Sequence, residues 1–270
     1  MLFSRLKIPL PGMELGHVNV YVLRCKDGYG LVDVGLATYD GALSLVKGLK
    51  ALGIRLTEIT KVYITHFHAD HITLAQFLAE VASPDFYIGE RELMDIGTSF
   101  EELAKIYFEE YKRHGAPPDV AEAFLKVHPM ARFRKAFEDV WKLPWRSVKD
   151  GDLLDCGLKA VWTPGHTPGH VVYVADFGVF TGDHVLPIIT PNISWHPIPG
   201  FNPLKEYLQS LRKEHKSLPG SRRRDTGLVQ SRRRVVKPPR EEARRGVKNI
   251  KRADDHLPNC PEDGMGRRAF

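Results

Sequence analysis

Six consecutive residues, His66-Phe-His68-Ala-Asp70-His71, hold three of the chain's 12 histidines and a carboxylate. Imidazole and carboxylate are the donors a borderline metal such as zinc takes up, and on a loop alternate side chains can point into one cavity. A metal centre of this kind constrains the fold, because ligands from other loops must converge on it from a rigid scaffold. Lys61-Val-Tyr-Ile-Thr65 before the motif reads as a short apolar strand. Leu74, Phe77, Leu78 and Val81 after it fall at helical spacing, which places the histidines on a strand-to-helix loop.

The rest of the body alternates between the same two periods. Val18-Asn-Val-Tyr-Val-Leu23 and Gly30-Leu-Val-Asp-Val34, joined through a Lys-Asp-Gly turn, predict a hairpin. Leu45, Val46, Leu49 and Leu52 predict a helix that stops at Gly53. Phe86 to Ile88, Leu153 to Trp162, Val171 to Ala175 and Val179 to Thr181 read as further strands. Between about Glu90 and Leu143, Ile96, Phe100, Leu103, Tyr107 and Tyr111 predict two or three helices broken at Pro117-Pro118. Strands alternating with helices indicate an α/β class.

Two later clusters bear on the same chemistry: Thr163-Pro-Gly-His166-Thr-Pro-Gly-His170 at a strand end, and Thr181-Gly-Asp183-His184 after the next hairpin. Together with the first motif and Leu31-Val-Asp33-Val-Gly35, their order resembles the metallo-β-lactamase superfamily, specifically its glyoxalase-II-like branch, over roughly residues 5 to 215. The resemblance implies a four-layer αββα sandwich in a domain of residues 1–218, with a helical insertion at about 90–143. It implies that His66, His68 and His166 hold a first metal, Asp70 and His71 a second, and that Asp183 bridges them. Asp70 is also implied as a catalytic proton relay, Asp33 as an orienting carboxylate, and His170 and His184 as supporting residues. His17, His114, His128, His196 and His215 match no motif and are read as surface or packing residues.

The implied activity is a zinc-dependent hydrolase, with one or two ions, activating water to cleave a small ester, thioester, lactone or related substrate. The segment 90–143 is either a lid over a small-molecule pocket or a packing appendage or homodimer surface. The runner-up is a mononuclear iron enzyme similar to the persulfide dioxygenases. The sequence departs from the family where a late Pro-Gly-His turn would give the second metal another histidine. Pro219-Gly220-Ser221 has the wrong third residue, and His256 stands in poor context. A weakened or inactive homologue is therefore a further alternative.

Composition separates the body from the tail. The net charge is +6, but residues 219–270 hold 15 Lys and Arg against 7 Asp and Glu, leaving the body at −2. Only 8 of those 52 residues are Leu, Ile, Val or Phe, so this irregular tail is expected to be disordered. A reading-frame change after about Ser217 would explain the break. A basic arm binding nucleic acid through phosphates is the competing reading, and no nucleic-acid partner is expected for the body. No apolar run approaches a membrane span, and no secretory leader is read at the start, so a cytoplasmic location is expected. Three cysteines in no CxxC pair indicate no disulfide framework, and Cys25 and Cys156 are expected to be buried, inert thiols.

Overall fold

Period-2 alternation sorts the side chains of the strands onto two faces, and this builds the layers. In a computed structural model, which describes residues 3–12, 15–94, 100–127, 131, 133–187 and 189–217, three strands open the fold. They are β1 (Phe3–Pro9), β2 (His17–Cys25) and β3 (Gly28–Val32), an antiparallel meander with Cys25 opposite Gly28 across the Lys26-Asp27 turn. β1 was not foreseen in the sequence; Leu6 and Ile8 supply its buried face. Helix α1 (Tyr39–Ala51) starts where the Thr38 hydroxyl accepts from Gly41 N at 3.0 Å, and ends at Gly53, whose φ of +73° suits glycine.

The chain then builds parallel strands, which require helical crossovers. β4 (Ile59–Tyr63) leads to α2 (Ala69–Ile72) and α3 (Ala75–Val81), and β5 (Asp85–Gly89) leads to α4 (Glu90–Met94). Helices α5 (Phe100–Arg113), α6 (Pro118–Val127) and α7 (Arg134–Val140) follow before β6 (Trp145–Val148) completes a six-stranded sheet in the order β1-β2-β3-β4-β5-β6. The expected break at Pro117-Pro118 is present, with Pro118 as the first residue of α6, where its missing N–H costs nothing. A second, antiparallel sheet follows: β7 (Leu153–Leu154), β8 (Leu158–Trp162), β9 (Val171–Ala175) and β10 (Gly178–Phe180). Helix α8 (Pro203–Ser217) is the last described element, and all described elements lie in the first of the chain's two units, Met1–Arg232. The second unit, Arg233–Phe270, and the tail features read from sequence lie outside the described residues.

In β2, Val18, Val20 and Val22 face a core shared with Leu45 and Leu49 of α1, Ile72 of α2, Leu78 of α3 and Phe137 and Val140 of α7. The intervening Tyr21 and Leu23 join Val32, Tyr63, Val171, Tyr173 and Phe180 in a second core between the sheets. On the far face of the second sheet, Val161, Val172, Val174 and Val179 cluster, and α8 is fixed there by Ser210 Oγ donating to Pro164 O at 2.8 Å and Lys213 Nζ to Trp162 O at 3.1 Å. Helix, sheet, sheet, helix is the four-layer αββα arrangement.

Three expectations change. The helix begins inside the metal motif, so Asp70 and His71 sit on α2 while only His66 and His68 occupy the preceding loop. The end of the segment read as an insertion belongs to the first core, through Phe133, Phe137, Val140 and Trp141. Cys25 and Cys156, expected as separate thiols, form a disulfide. Distance along the chain hid this pair. Cys25 ends β2, and Cys156, with φ of +63° in the turn before β8, is brought across the sheets to a Cα–Cα distance of 4.3 Å despite a separation of 131 residues.

Candidate metal centre

The strand ends deliver three loops to one point. Val171 N donates to Thr65 O at 2.8 Å, and the buried Tyr173 hydroxyl donates to Ile64 O at 2.9 Å, which locks the second sheet to the stretch just before His66. Where the loop after β10 meets Thr65, a Cβ on Gly182 would lie 2.6 Å from the Thr65 hydroxyl oxygen, so only glycine fits. Asp183 follows directly.

Three of the four histidines facing the centre, His66, His71 and His166, have their outer nitrogen tied. Asp33, at the end of β3 with φ of +57°, accepts from Thr65 N at 2.8 Å and pairs with His71 Nδ1 at 2.8 Å. The Thr65 hydroxyl lies 3.0 Å from both Asp33 and His66 Nδ1; donating to the carboxylate, it accepts from His66. His166 Nδ1 lies 2.7 Å from Asn192 O, which can only accept, so Nδ1 carries the proton. The Nε2 atoms of His66, His71 and His166 are thus left pointing inward, where a metal can take them.

Inward, His166 Nε2 lies 2.9 Å from His68 Nδ1 and 3.3 Å from His66 Nε2. Asp183 divides its oxygens, Oδ2 at 3.6 Å from His166 Nε2 and Oδ1 at 3.4 Å from His71 Nε2, and Asp70 Oδ2 is 3.5 Å from His71 Nε2. Two ligand groups result, each with donor atoms within 4.8 Å of one another: His66, His68 and His166, and His66, His71 and Asp183. Asp70 stands beside the second group. All six residues read as ligands therefore share one site.

The electrostatics separate the donors. Burial pushes the pKa values of His66, His68 and His166 below the usual range, so their nitrogens stay neutral and able to donate. Burial acts the same way on His71, yet Asp183, Asp70 and Asp33 together raise it well above its ordinary value. Asp183 is held well below the carboxylate range against burial, chiefly by His71, His166 and His68, whereas burial raises Asp70. A cation is what three carboxylates at this point demand. Nitrogens bound tetrahedrally to zinc at about 2.0–2.1 Å lie about 3.3 Å apart, close to the 2.9 and 3.3 Å that separate His166 Nε2 from the nitrogens of His68 and His66.

The remaining histidines sort by burial. His170 is fully buried, hydrogen-bonded through Nδ1 to Thr163 Oγ1 at 2.9 Å, with its ring stacked on His66 at 5.1 Å between centroids; it supports a ligand. His184 packs between His170 and Tyr207, and Tyr207 donates to its carbonyl at 3.1 Å. His196, read only as a surface or packing residue, is buried between Phe67 and Phe201 with Nε2 3.4 Å from His166 O. His114 is exposed in the turn after α5, while His128, His256 and the side chain of His215 lie outside the described residues. Sequence reading missed Thr65 and the Asn192 carbonyl. Thr65 adjoins the motif and offered a signal; a backbone carbonyl offers none.

A family profile described as the metallo-beta-lactamase superfamily matches residues 13–220. The chain belongs to that superfamily. Among curated relatives of the superfamily, a probable metallo-hydrolase, YqjP of Bacillus subtilis, is 27% identical over 217 residues, covering 77% of this chain. The chain spans 66% of that relative's length. Among solved structures, a metallo-beta-lactamase family protein from Thermus thermophilus superposes with a TM-score of 0.65 at 26% identity, over 78% of this chain and 69% of the other. A beta-lactamase domain protein from Burkholderia ambifaria shares the fold, with a TM-score of 0.62 at 24% identity over 84% of this chain and 67% of that one.

Proposed function

We propose that this chain is a zinc-dependent hydrolase that activates water to cleave a small ester, thioester or lactone, in the manner of the glyoxalase-II-like branch its motifs resemble. The observation that carries the reading is the division of Asp183, one oxygen toward His166 and the other toward His71. A carboxylate so placed suits a bridge between two ligand groups. His66, His68 and His166 would hold the first ion, and Asp70, His71 and Asp183 the second. A bound zinc supplies hydroxide near neutrality by lowering the pKa of water from 15.7 to about 7.

The chain's own residues do the rest. Asn192 O and the Thr65 hydroxyl keep the inward nitrogens of His166 and His66 free of protons. Asp70, with 22% of its side chain exposed beside His71, is placed to pass a proton between the centre and solvent. Trp195, on the segment between Asn192 and His196, meets Tyr107 of α5 edge to face at 5.6 Å, and this pair would give the substrate side an aromatic wall. Such a wall suits the apolar part of an acyl substrate.

The purified protein is expected to contain zinc and to hydrolyse at least one thioester, ester or lactone in a panel that also holds phosphodiesters and lactams. Asp183→Ala should bring turnover to background and lower the metal content. Iron in place of zinc, with sulfur-dependent oxygen consumption and no hydrolysis, would overturn the proposal in favour of a dioxygenase.

A further inference from the structure

The loop carrying His166 is gripped from α4 by a carboxylate with no part in the chemistry above. Thr163 to His170 form a closed loop, with Thr163 N donating to His170 O at 2.8 Å and Gly165 N to Thr167 O at 3.0 Å. Helix α8 holds its entry through Pro164 and Trp162. On its exit side, Glu92 is 1% exposed, and its Oε1 accepts from both the Thr167 hydroxyl and, at 2.9 Å, the Gly169 amide. Both partners are donors, so the carboxylate serves them as an acceptor and needs no proton.

The approach is as close as backbones allow. A Cβ on Gly169 would collide with the backbone of Arg91 and Glu92, and one on Gly89, the last residue of β5, would collide with Gly169 O. The neighbouring Arg91 places its guanidinium 3.7 Å over the Trp162 ring, and Trp162 Nε1 donates to Pro168 O at 3.0 Å. Successive side chains of α4 therefore meet both ends of the loop.

We propose that Glu92 is a positioning residue for His166, a latch that keeps Nε2 of His166 in register with His66 and His68. The Asn192 carbonyl fixes the rotation of the His166 ring, but it does not fix where the loop sits. Three nitrogens must lie about 3.3 Å apart to share a tetrahedral ion, so a displacement of about 1 Å in this loop breaks the set. Glu92 also joins the helical segment that begins at Glu90 to the metal centre. The proposal rests on the zinc reading above only in taking a metal as what His166 holds.

The test combines zinc affinity of the apo-protein, by competition with a chromophoric chelator, and amide hydrogen exchange at Gly169 without metal. Glu92→Ala should lower zinc affinity about 10-fold or more, the range for loss of an outer support, and accelerate exchange at Gly169. Glu92→Gln retains an acceptor oxygen and should stay within about threefold of the parent on both readouts. Thr167→Val, lacking one donor, should fall between. Parent-like affinity in Glu92→Ala, or equal losses in Glu92→Ala and Glu92→Gln, would overturn the latch. Should Glu92→Ala fail to fold, Thr167→Val decides, and unchanged affinity and exchange there refute it. A parent protein that binds no zinc removes the hydrolase reading instead, and metal-free exchange at Gly169 still decides the latch.

Discussion

Asp33 directs both of its oxygens into the metal loop, one to Thr65 and the other to His71, from a backbone conformation that few residues other than glycine, asparagine and aspartate adopt. Its charge selects the tautomer of His71: an acceptor at Nδ1 puts the proton there and leaves Nε2 for a metal. Asp33→Asn preserves shape and removes that selection. If its amide nitrogen faces His71, Nδ1 must accept and Nε2 takes the proton; if it faces Thr65 N, two donors meet. We expect Asp33→Asn to lower affinity at the second metal about 10- to 100-fold, with far-ultraviolet circular dichroism unchanged. Equal affinity in a calorimetric zinc titration would show that His71 is oriented by something else. The six candidate ligands and Asp33 were legible because side chains of special chemistry recur in a fixed order. Glu92 was not, because an acidic residue at the start of an amphipathic helix ordinarily faces water.

At the scale of elements, alternation made most strands readable: β2, β4, β5 and β9 stand where the apolar period put them, since each buries one or both faces. β1 passed unread because Ser4, Arg5 and Lys7 interrupt its apolar residues and Pro9 closes it, the composition of an edge strand. The Cys25–Cys156 bond was hidden for another reason, as pairing across 131 residues follows from tertiary structure alone. It ties the end of β2 in the first sheet to the turn before β8 in the second. Closing so long a loop restricts the unfolded chain, which stabilises the fold by about 2–5 kcal/mol in typical cases. Reduction, or Cys25→Ser, should therefore lower the Tm by several degrees while leaving metal content intact, because neither cysteine lies in the segments that carry the candidate ligands. A scan in the presence and absence of reductant checks this; an unchanged Tm would mean that the bond adds nothing to the folded state.

For the molecule as a whole, the described residues supply three histidines to one candidate metal group and leave the other with fewer. His66, His68 and His166 each offer a nitrogen to the first ion. Around His71, the described residues add only Asp70, Asp183 and a shared His66, and the late Pro-Gly-His turn that the family resemblance implies is missing from the sequence. Fewer neutral donors and an oxygen-rich set bind zinc less tightly, so the two affinities should differ widely. We expect dialysis against a mild chelator to leave close to one zinc per chain, held at the three-histidine site. Deleting residues 219–270 distinguishes the sources of a second ion. Every contact found to hold His66, His68, His166 and Asp183 lies before that segment, so the truncated chain should keep the first zinc. If the full chain holds two ions of equal strength and the truncated one loses only the second, a ligand from the tail replaces the missing histidine. If both chains hold two equally, the asymmetry argued from Asp70, His71 and Asp183 is wrong.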